Sequence, residues 1–354
     1  MKTNHNHYLN LAFQIAEKNL GQTKLNPCVG SIVVKNNSVI SSAVTSFKGR
    51  PHSEYNALKN LKNCSGATLY TTLEPCTHQG KTPPCTNIII KKKIKNVYYA
   101  FEDPDLRTFK KAKKVLNLKG INTKQINIKN YREFYKSYFF NKKLSIPYVA
   151  AKIAISKDFY TINKKDKWIT NSTSRKFVHL LRNRHDCILS TSKSINFDDS
   201  LLNCRIKGLN NYRPDLFIID LNLKLKKKLS LNNLLKKRKT YLITNKNNSR
   251  KTLAYKKLGY KIILINNLNN KKDFYTLYKT IYKLGYARIL IETGLTFLNS
   301  LLKDKLINEL YIFKSDYKLG KSGKNNDTSK YLNKISPKLQ AINLNGDKLL
   351  KKDF

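Results

Sequence analysis

His52-Ser53-Glu54, followed by Glu74-Pro75-Cys76-Thr77-His78-Gln79-Gly80-Lys81-Thr82-Pro83-Pro84-Cys85, is the stretch from which the rest of the chain can be read. One imidazole and two thiols form the borderline-soft donor set that zinc takes. Three protein ligands, His52, Cys76 and Cys85, leave a fourth tetrahedral position open, the mark of a catalytic rather than a structural zinc. Pro51 suits the first turn of a helix starting near His52, and Pro83-Pro84 can open another at Cys85. Residues i and i+2 do not share a helix face, so His52 and Glu54 converge only on a metal lying off the helix end. Cys85, at a helix start, gains from the positive end of the dipole, which favours its thiolate. The spacing therefore predicts a metal between two helix N-termini.

A structural zinc or a chance cluster is the plainer reading of one His and two Cys. The order H-x-E then P-C…C argues against it, because this is the zinc-deaminase pattern, with the Glu as general acid/base and not a ligand. Zinc in such a site activates water for attack on an amino-bearing ring carbon. Glu54 is placed to take the water's proton and pass it to the departing ammonia. One departure stands out: eight residues separate Cys76 from Cys85, where that pattern has two.

With 354 residues the chain can hold two domains, each with its own core. The formal net charge of +47 would suggest a nucleic-acid partner. The excess is spread along the whole chain as Lys, alongside abundant Asn, Ile and Tyr, all residues with A/T-rich codons. We read it as compositional drift that still attracts small phosphorylated ligands, with no specific nucleic-acid partner. Cys28, Cys64, Cys187 and Cys204 are expected as reduced, mostly buried thiols. No signal peptide or membrane span is evident, so the expectation is a cytoplasmic protein with no membrane partner.

Outward from the metal stretch, periodicity predicts a helix over 8–20, a hairpin 29–34/39–44 turning at Asn36-Asn37, a helix 52–62 and a strand 67–72. A helix 85–93, a strand 96–101, a basic helix 107–118, a strand 121–128 and a helix 131–140 follow. Residues 141–147 read as a linker. Beyond it come a strand 148–155, a helix 172–183 capped by Ser172 or Thr173, and strands 187–190, 216–220, 240–244 and 261–265. A helix 272–284, a strand 288–291, a helix 296–302 and a strand 309–313 complete the pattern. Alternating strands and helices imply a second α/β domain with a largely parallel sheet.

Asn26-Pro27-x-Val29-Gly30, His52-x-Glu54 and Thr72-Leu73-Glu74-Pro75-Cys76-Thr77-His78-x-Gly80-x-Thr82-Pro83-Pro84-Cys85 resemble the bifunctional riboflavin-biosynthesis family (RibD), whose cysteines are separated by this longer loop. The resemblance implies an N-terminal cytidine-deaminase-like three-layer α/β/α domain over residues 1–144. It also implies a C-terminal dihydrofolate-reductase-like α/β domain over residues 145–354. The implied reactions are zinc-dependent deamination of 2,5-diamino-6-(phosphoribosylamino)pyrimidinone to the aminouracil, then NADPH reduction of the ribosyl side chain to ribityl. The implied partners are this phosphoribosylated pyrimidine and further copies of the chain. Departures from the family pattern are Thr45 and Asn56, each where a His is common, and Asp105 in place of Asn.

The second half has no G-x-G-x-x-G, and Ile291 to Thr296 after a strand is by itself an ordinary strand–helix turn. Lys152, Arg182 and Arg205, read alone, are solvated bases of a basic chain. The stretches Lys152-x-x-x-Ser156-x-Asp158, Trp168-Ile169-Thr170, Leu181-Arg182, Asp198-Asp199-x-x-Leu202-x-x-Arg205 and Glu292-x-Gly294 are similar to the reductase half. That similarity implies substrate contacts at Asp166, Arg182, Leu202, Arg205 and Glu292, where an arginine fork suits a phosphate. It implies an NADPH site at Ala154, Trp168, Ser194, Asp198, Leu221 and the run Gly294, Leu295, Thr296, Phe297, Leu298, Asn299 and Ser300. Phe159-Tyr160, Asp166, Ser200 and Leu221 depart from that half's usual residues. Two alternatives stay open: a deaminase with a non-catalytic C-terminal domain, and an RNA-binding or tRNA-editing deaminase.

Overall fold

Residues 4–128, 131–209 and 214–354 are described by the computed structural model. The chain forms two units, Met1–Ser145 and Ile146–Phe354.

Among the described residues the first unit holds the α-helices α1 (His5–Ala16), α2 (Ser53–Leu58), α3 (Cys85–Lys91), α4 (Ala112–Asn117) and α5 (Arg132–Leu144). Its strands are β1 (Gly30–Lys35), β2 (Ser38–Val44), β3 (Thr68–Leu73), β4 (Asn96–Phe101) and β5 (Asn122–Gln125). The sheet runs β2-β1-β3-β4-β5. β1 is antiparallel to β2 and β3, while β3, β4 and β5 are parallel. The two-residue alternation of the strands feeds two cores. Ile32, Val34 and Tyr70 pack with Leu9 and Phe13 of α1 and Tyr135 of α5. Val33 and Leu69, one residue out of phase, pack with Leu58 of α2, Ile89 of α3 and Leu116 of α4. Three layers, α/β/α, follow from that alternation. Asn36 and Asn37 both take positive φ, 49° and 60°, as a tight two-residue hairpin turn requires.

Several expected boundaries move. α2 ends at Leu58 and not near Lys62. The basic helix expected over 107–118 is only Ala112–Asn117, because Lys110 takes φ 58° and breaks the helix before it. Residues 141–144 belong to α5, which stops where Ser145 turns left-handed, and not to a linker.

The second unit contains helices α6 (Ser172–Asn183), α7 (Ser192–Asp198), α8 (Leu253–Leu258), α9 (Lys271–Lys283), α10 (Leu295–Lys303) and α11 (Lys330–Ile335). Its strands are β6 (Tyr148–Ile155), β7 (Ile162–Asn163), β8 (Cys187–Thr191), β9 (Asp215–Ile219), β10 (Thr240–Asn245), β11 (Lys261–Ile265), β12 (Arg288–Glu292), β13 (Glu309–Lys314), β14 (Gly323–Lys324), β15 (Ala341–Leu344) and β16 (Asp347–Asp353). The main sheet runs β11-β10-β9-β8-β12-β6-β13-β16-β15. It is parallel from β11 through β13 and closes on an antiparallel β16–β15 edge. From central β6 the chain builds outward on one side through β8 to β11, returns to β12, and continues with β13 on the other side. The β12/β6 junction is thus a switch point, where a parallel sheet opens a crevice beyond its carboxyl ends. The cap of α6 is Asn171, whose side chain accepts from the Ser174 amide, and not Ser172 or Thr173. Short elements escaped the periodicity: α7, α8, α11, the β7–β14 ribbon and the β15–β16 hairpin. Cys28, Cys64, Cys187 and Cys204 are buried free thiols. No helix among the described residues is long and apolar enough to cross a membrane.

Candidate functional site

α2 begins immediately after His52, which caps it in extended conformation at φ −71°, ψ 160°. α3 begins at Cys85, and Cys76 lies in the loop after β3. These placements bring His52, Cys76 and Cys85 together, with one ligand atom from each inside a 4.8 Å group. His52 Nδ1 lies 3.6 Å from Cys76 Sγ and 3.4 Å from Cys85 Sγ. A tetrahedral zinc with ordinary Zn–N and Zn–S bonds sets that edge at about 3.6 Å, so the triad fits the ion. Nδ1 is the nitrogen that faces the sulfurs, while Nε2 is buried with no hydrogen-bond partner.

The Cys85 amide, first of α3, donates to Cys76 Sγ at 3.2 Å. The Cys85 thiol bonds to Cys76, and that bond, with His52 and the Cys85 amide, holds Cys76 well below the usual thiol range. The same bond, together with burial, pushes Cys85 up. The helix start therefore serves Cys76 first.

Glu54 is 3% exposed and lies beside the triad. Burial raises its carboxyl, against the attraction of His52 and a bond from Ser53. The Ser53 hydroxyl donates to Glu54 Oε2 at 3.1 Å and itself meets Ser31 Oγ at 2.8 Å. A carboxyl of raised pKa next to an open metal position is poised to accept and return a proton. At the mouth, Arg50 donates to the Thr82 hydroxyl and borders Gly80. Arg50 has no carboxylate partner among the described residues, so positive charge at the Gly80–Thr82 turn is uncompensated. Asn56, where a His is common in the family, donates to Val44 O, Ser46 Oγ and Pro51 O and supports the loop before His52. Thr45 accepts the Val29 amide. Asp105 is held far below the usual carboxylate range by bonds from Arg107 and Lys142.

In the second unit, Arg182 of α6 grips Glu292 at the end of β12 through two bonds, 2.6 and 2.9 Å, and donates to Asn203 O at 2.9 Å. Arg205 reaches the same place through Asn203 Oδ1 at 2.7 Å. Leu202 is buried at φ 47°, its carbonyl held by Arg238. Gly294 donates its amide to Ser194 Oγ at 3.2 Å. Asp198 ends α7, its carboxyl raised by burial against the pull of Lys167 and Lys152. Ala154 sits on β6 against the core.

Lys152, by itself a solvated base of a basic chain, is enclosed in the second unit. It pairs in register with Glu292 across β6 and β12. Its amine is enclosed, lowered by burial and drawn upward by Glu292 and Asp198. The signal was present: Lys152 is the one charged residue of an otherwise apolar strand, Tyr148–Ile155.

Lys167, between Asp166 and Trp168, reaches the Asp198 carbonyl at 3.5 Å. Trp168 carries Arg175 over its ring at 4.8 Å and, with Asp166, Asp316 and Tyr317, lines an open cavity of about 460 Å³. Asp166 accepts the Trp168 amide at 3.2 Å. Leu221 offers its carbonyl to Thr244 and Asn248. Within Gly294 to Ser300, Leu295 and Leu298 point into the core, both 1% exposed. Thr296 and Asn299 donate to Asn326 O and Thr328 O, Phe297 packs on Phe274, and Ser300 bonds to Phe297 O. The side chains of this run are committed to the protein. The start of α10 follows β12 at the carboxyl end of the parallel sheet, beside the switch point.

Residues 147–343 match the RibD C-terminal domain, and residues 2–101 match the cytidine and deoxycytidylate deaminase zinc-binding region. Riboflavin biosynthesis protein RibD of Buchnera aphidicola subsp. Baizongia pistaciae (strain Bp) is 34% identical over 346 residues, 90% of this chain and 88% of that protein. RibD of Aquifex aeolicus (strain VF5) is 32% identical over 311 residues, 86% of this chain and 85% of that protein. The structure of Acinetobacter baumannii RibD, form 2, superposes with a TM-score of 0.81 at 26% identity, covering 98% of both chains. With relatives aligned across both units and a family match in each, the chain belongs to the RibD family of bifunctional riboflavin-biosynthesis deaminase–reductases.

Proposed function

We propose that the first unit deaminates 2,5-diamino-6-(5-phosphoribosylamino)pyrimidin-4-one to 5-amino-6-(5-phosphoribosylamino)uracil, and that the second reduces the ribosyl group of that product to ribityl. The observation that carries the reading is the half-buried His52–Cys76–Cys85 triad with the buried Glu54 beside it. His52, Cys76 and Cys85 hold zinc, which when bound supplies Lewis-acid activation of a water molecule. Glu54 takes the proton of that water and delivers it to the departing amino group, which leaves as ammonia. Arg50 and Lys81 bring positive charge to the mouth, in keeping with a phosphorylated substrate.

In the second unit, Arg182, Arg205 and Leu202 frame the substrate, and Glu292 is kept ionised by Arg182. Lys152 joins this group as a base the substrate meets. The start of α10, with Ser194 behind Gly294, receives NADPH through backbone amides. The hydride chemistry belongs to the cofactor, and the protein supplies placement. Self-association and a cytoplasmic location belong to the same proposal, and light scattering on the purified chain tests the first.

The test is an assay of both half-reactions on the purified full chain, with metal analysis. The reading expects one zinc per chain, ammonia release from the diaminopyrimidine, and NADPH oxidation that depends on the deaminated product. Ammonia release without NADPH oxidation at saturating substrate would favour the single-activity alternative. Tight RNA binding that survives moderate salt would favour the nucleic-acid alternative.

A further inference from the structure

We propose that Glu74 is a positioning residue of the deaminase cleft: its carboxylate latches the loop of residues 103–111 against the metal loop, and so fixes the wall that the substrate's pyrimidine meets. The inference rests on the deaminase reading above.

Glu74 ends the extended run that leads from β3 to Cys76, and it is 2% exposed. Its Oε2 accepts the amides of Asp103 at 3.3 Å and Lys110 at 3.0 Å, and its Oε1 accepts the amide of Ala112 at 3.0 Å. These donors sit at the two feet of one loop. No cation pairs with Glu74 among the described residues, so the buried charge is met by main-chain dipoles alone. Lys110, between two of the donors, takes φ 58°, a conformation that persists in a non-glycine residue only when its surroundings enforce it.

What the latch holds is not a remote surface turn. At the apex, the Thr77 hydroxyl donates to Arg107 O at 3.2 Å, and His78 Nδ1 meets Thr108 Oγ1 at 3.0 Å. Thr77 and His78 follow Cys76 directly. At the first foot, Asp103 Oδ1 accepts the Tyr138 hydroxyl and the Asp105 amide, both at 2.9 Å, which ties the loop to α5. The apex leaves Leu106 81% and Phe109 39% exposed, with the Lys110 amine 5.0 Å from the Phe109 ring centroid, on the loop that Thr77 and His78 tie to the metal loop. That suits a wall for a flat heteroaromatic ring.

A carboxylate is needed because three donors arrive on two oxygens. A glutamine offers one oxygen and turns its NH2 toward a backbone N–H. An alanine leaves three buried amides unpaired.

The experiment uses full-length, zinc-loaded Glu74→Gln and Glu74→Ala. Zinc content, deamination kcat and KM, NADPH-dependent reduction, and amide hydrogen exchange over residues 103–112 are measured on one preparation. We expect full zinc, unchanged reduction, faster exchange at Asp103, Lys110 and Ala112, and a deamination KM raised about tenfold or more with kcat altered far less. An unchanged KM despite faster exchange overturns the proposal, because the loop is then no wall. Unchanged exchange overturns it because Glu74 is then no latch. Loss of zinc overturns it in favour of a purely structural hold on the metal loop. If both variants fail to fold, Thr108→Val cuts the apex contact at nearly constant volume, and an unchanged KM there overturns the proposal equally. Wild-type protein that releases no ammonia sinks the deaminase reading itself, a separate outcome.

Discussion

Glu54 and Glu74 are both buried carboxylates of the first unit, and their surroundings separate their roles. Glu54 faces two sulfurs and an imidazole with one side-chain hydroxyl donor, so it can accept and return a proton. Glu74 is filled by three amides. The sequence marks Glu54 through its spacing from His52, and it marks Glu74 only as part of a motif, because main-chain donors have no residue signature. Lys152 shows the same limit from the other side. Its charge is visible in the sequence, but its partner Glu292 lies on a strand far along the chain. Cys85→Ser should release the metal, read as zinc lost on dialysis, and retention would point to His78 as the replacement ligand. Arg182→Ala should abolish NADPH oxidation and cost about 3–5 kcal/mol in urea unfolding, since it strands the buried Glu292 charge. A variant as stable as wild type would show that Glu292 finds another partner.

Strands and long helices were legible because their cores impose a period. β1 and β3 feed alternate residues to two cores, and β6, β12 and β13 read as apolar runs because they are covered on both faces. Helix ends were less legible, because loop contacts set them. Asn171 outcompetes Ser172 as a cap, and Lys110 ends a helix that its sequence would continue. α1 lies so close to β1 that a Cβ on Gly30 would meet Ala12 O at 1.9 Å. Gly30→Ala should therefore push α1 outward and cost about 1–3 kcal/mol by thermal or urea unfolding. β13 carries a pH-dependent element. Burial opposes the charge of Glu309, but the attraction of Arg288 and Lys351 overrides it and holds the carboxyl down to about 2. Its folded pKa lies below the unfolded value of about 4.3. The stabilisation is thus complete above the unfolded value and is lost as pH falls through that window toward 2. Glu309→Gln should flatten this part of the stability profile, and an unchanged slope would show that other carboxylates dominate it.

At the scale of the molecule, the +47 charge is the feature that composition makes loudest. Its bias toward phosphorylated small molecules predicts weak RNA binding that disappears in moderate salt. The two units were legible as two α/β domains because each repeats its own strand–helix pattern. The metal centre was legible almost completely, since its ligands come from short motifs, two of them at helix starts and Cys76 in the loop between. The reductase cleft was legible only through resemblance, because its residues are scattered over β6, α6, α7, β12 and α10. The central claim is that one carboxylate, Glu54, moves the protons of deamination in a zinc site whose ligands do not include it. Glu54→Gln measured for zinc content and both half-reactions tests this directly. The account predicts one zinc per chain, unchanged NADPH-dependent reduction of the deaminated product, and ammonia release lowered by about two to four orders of magnitude. Ammonia release at the wild-type rate, or loss of the zinc, would contradict it.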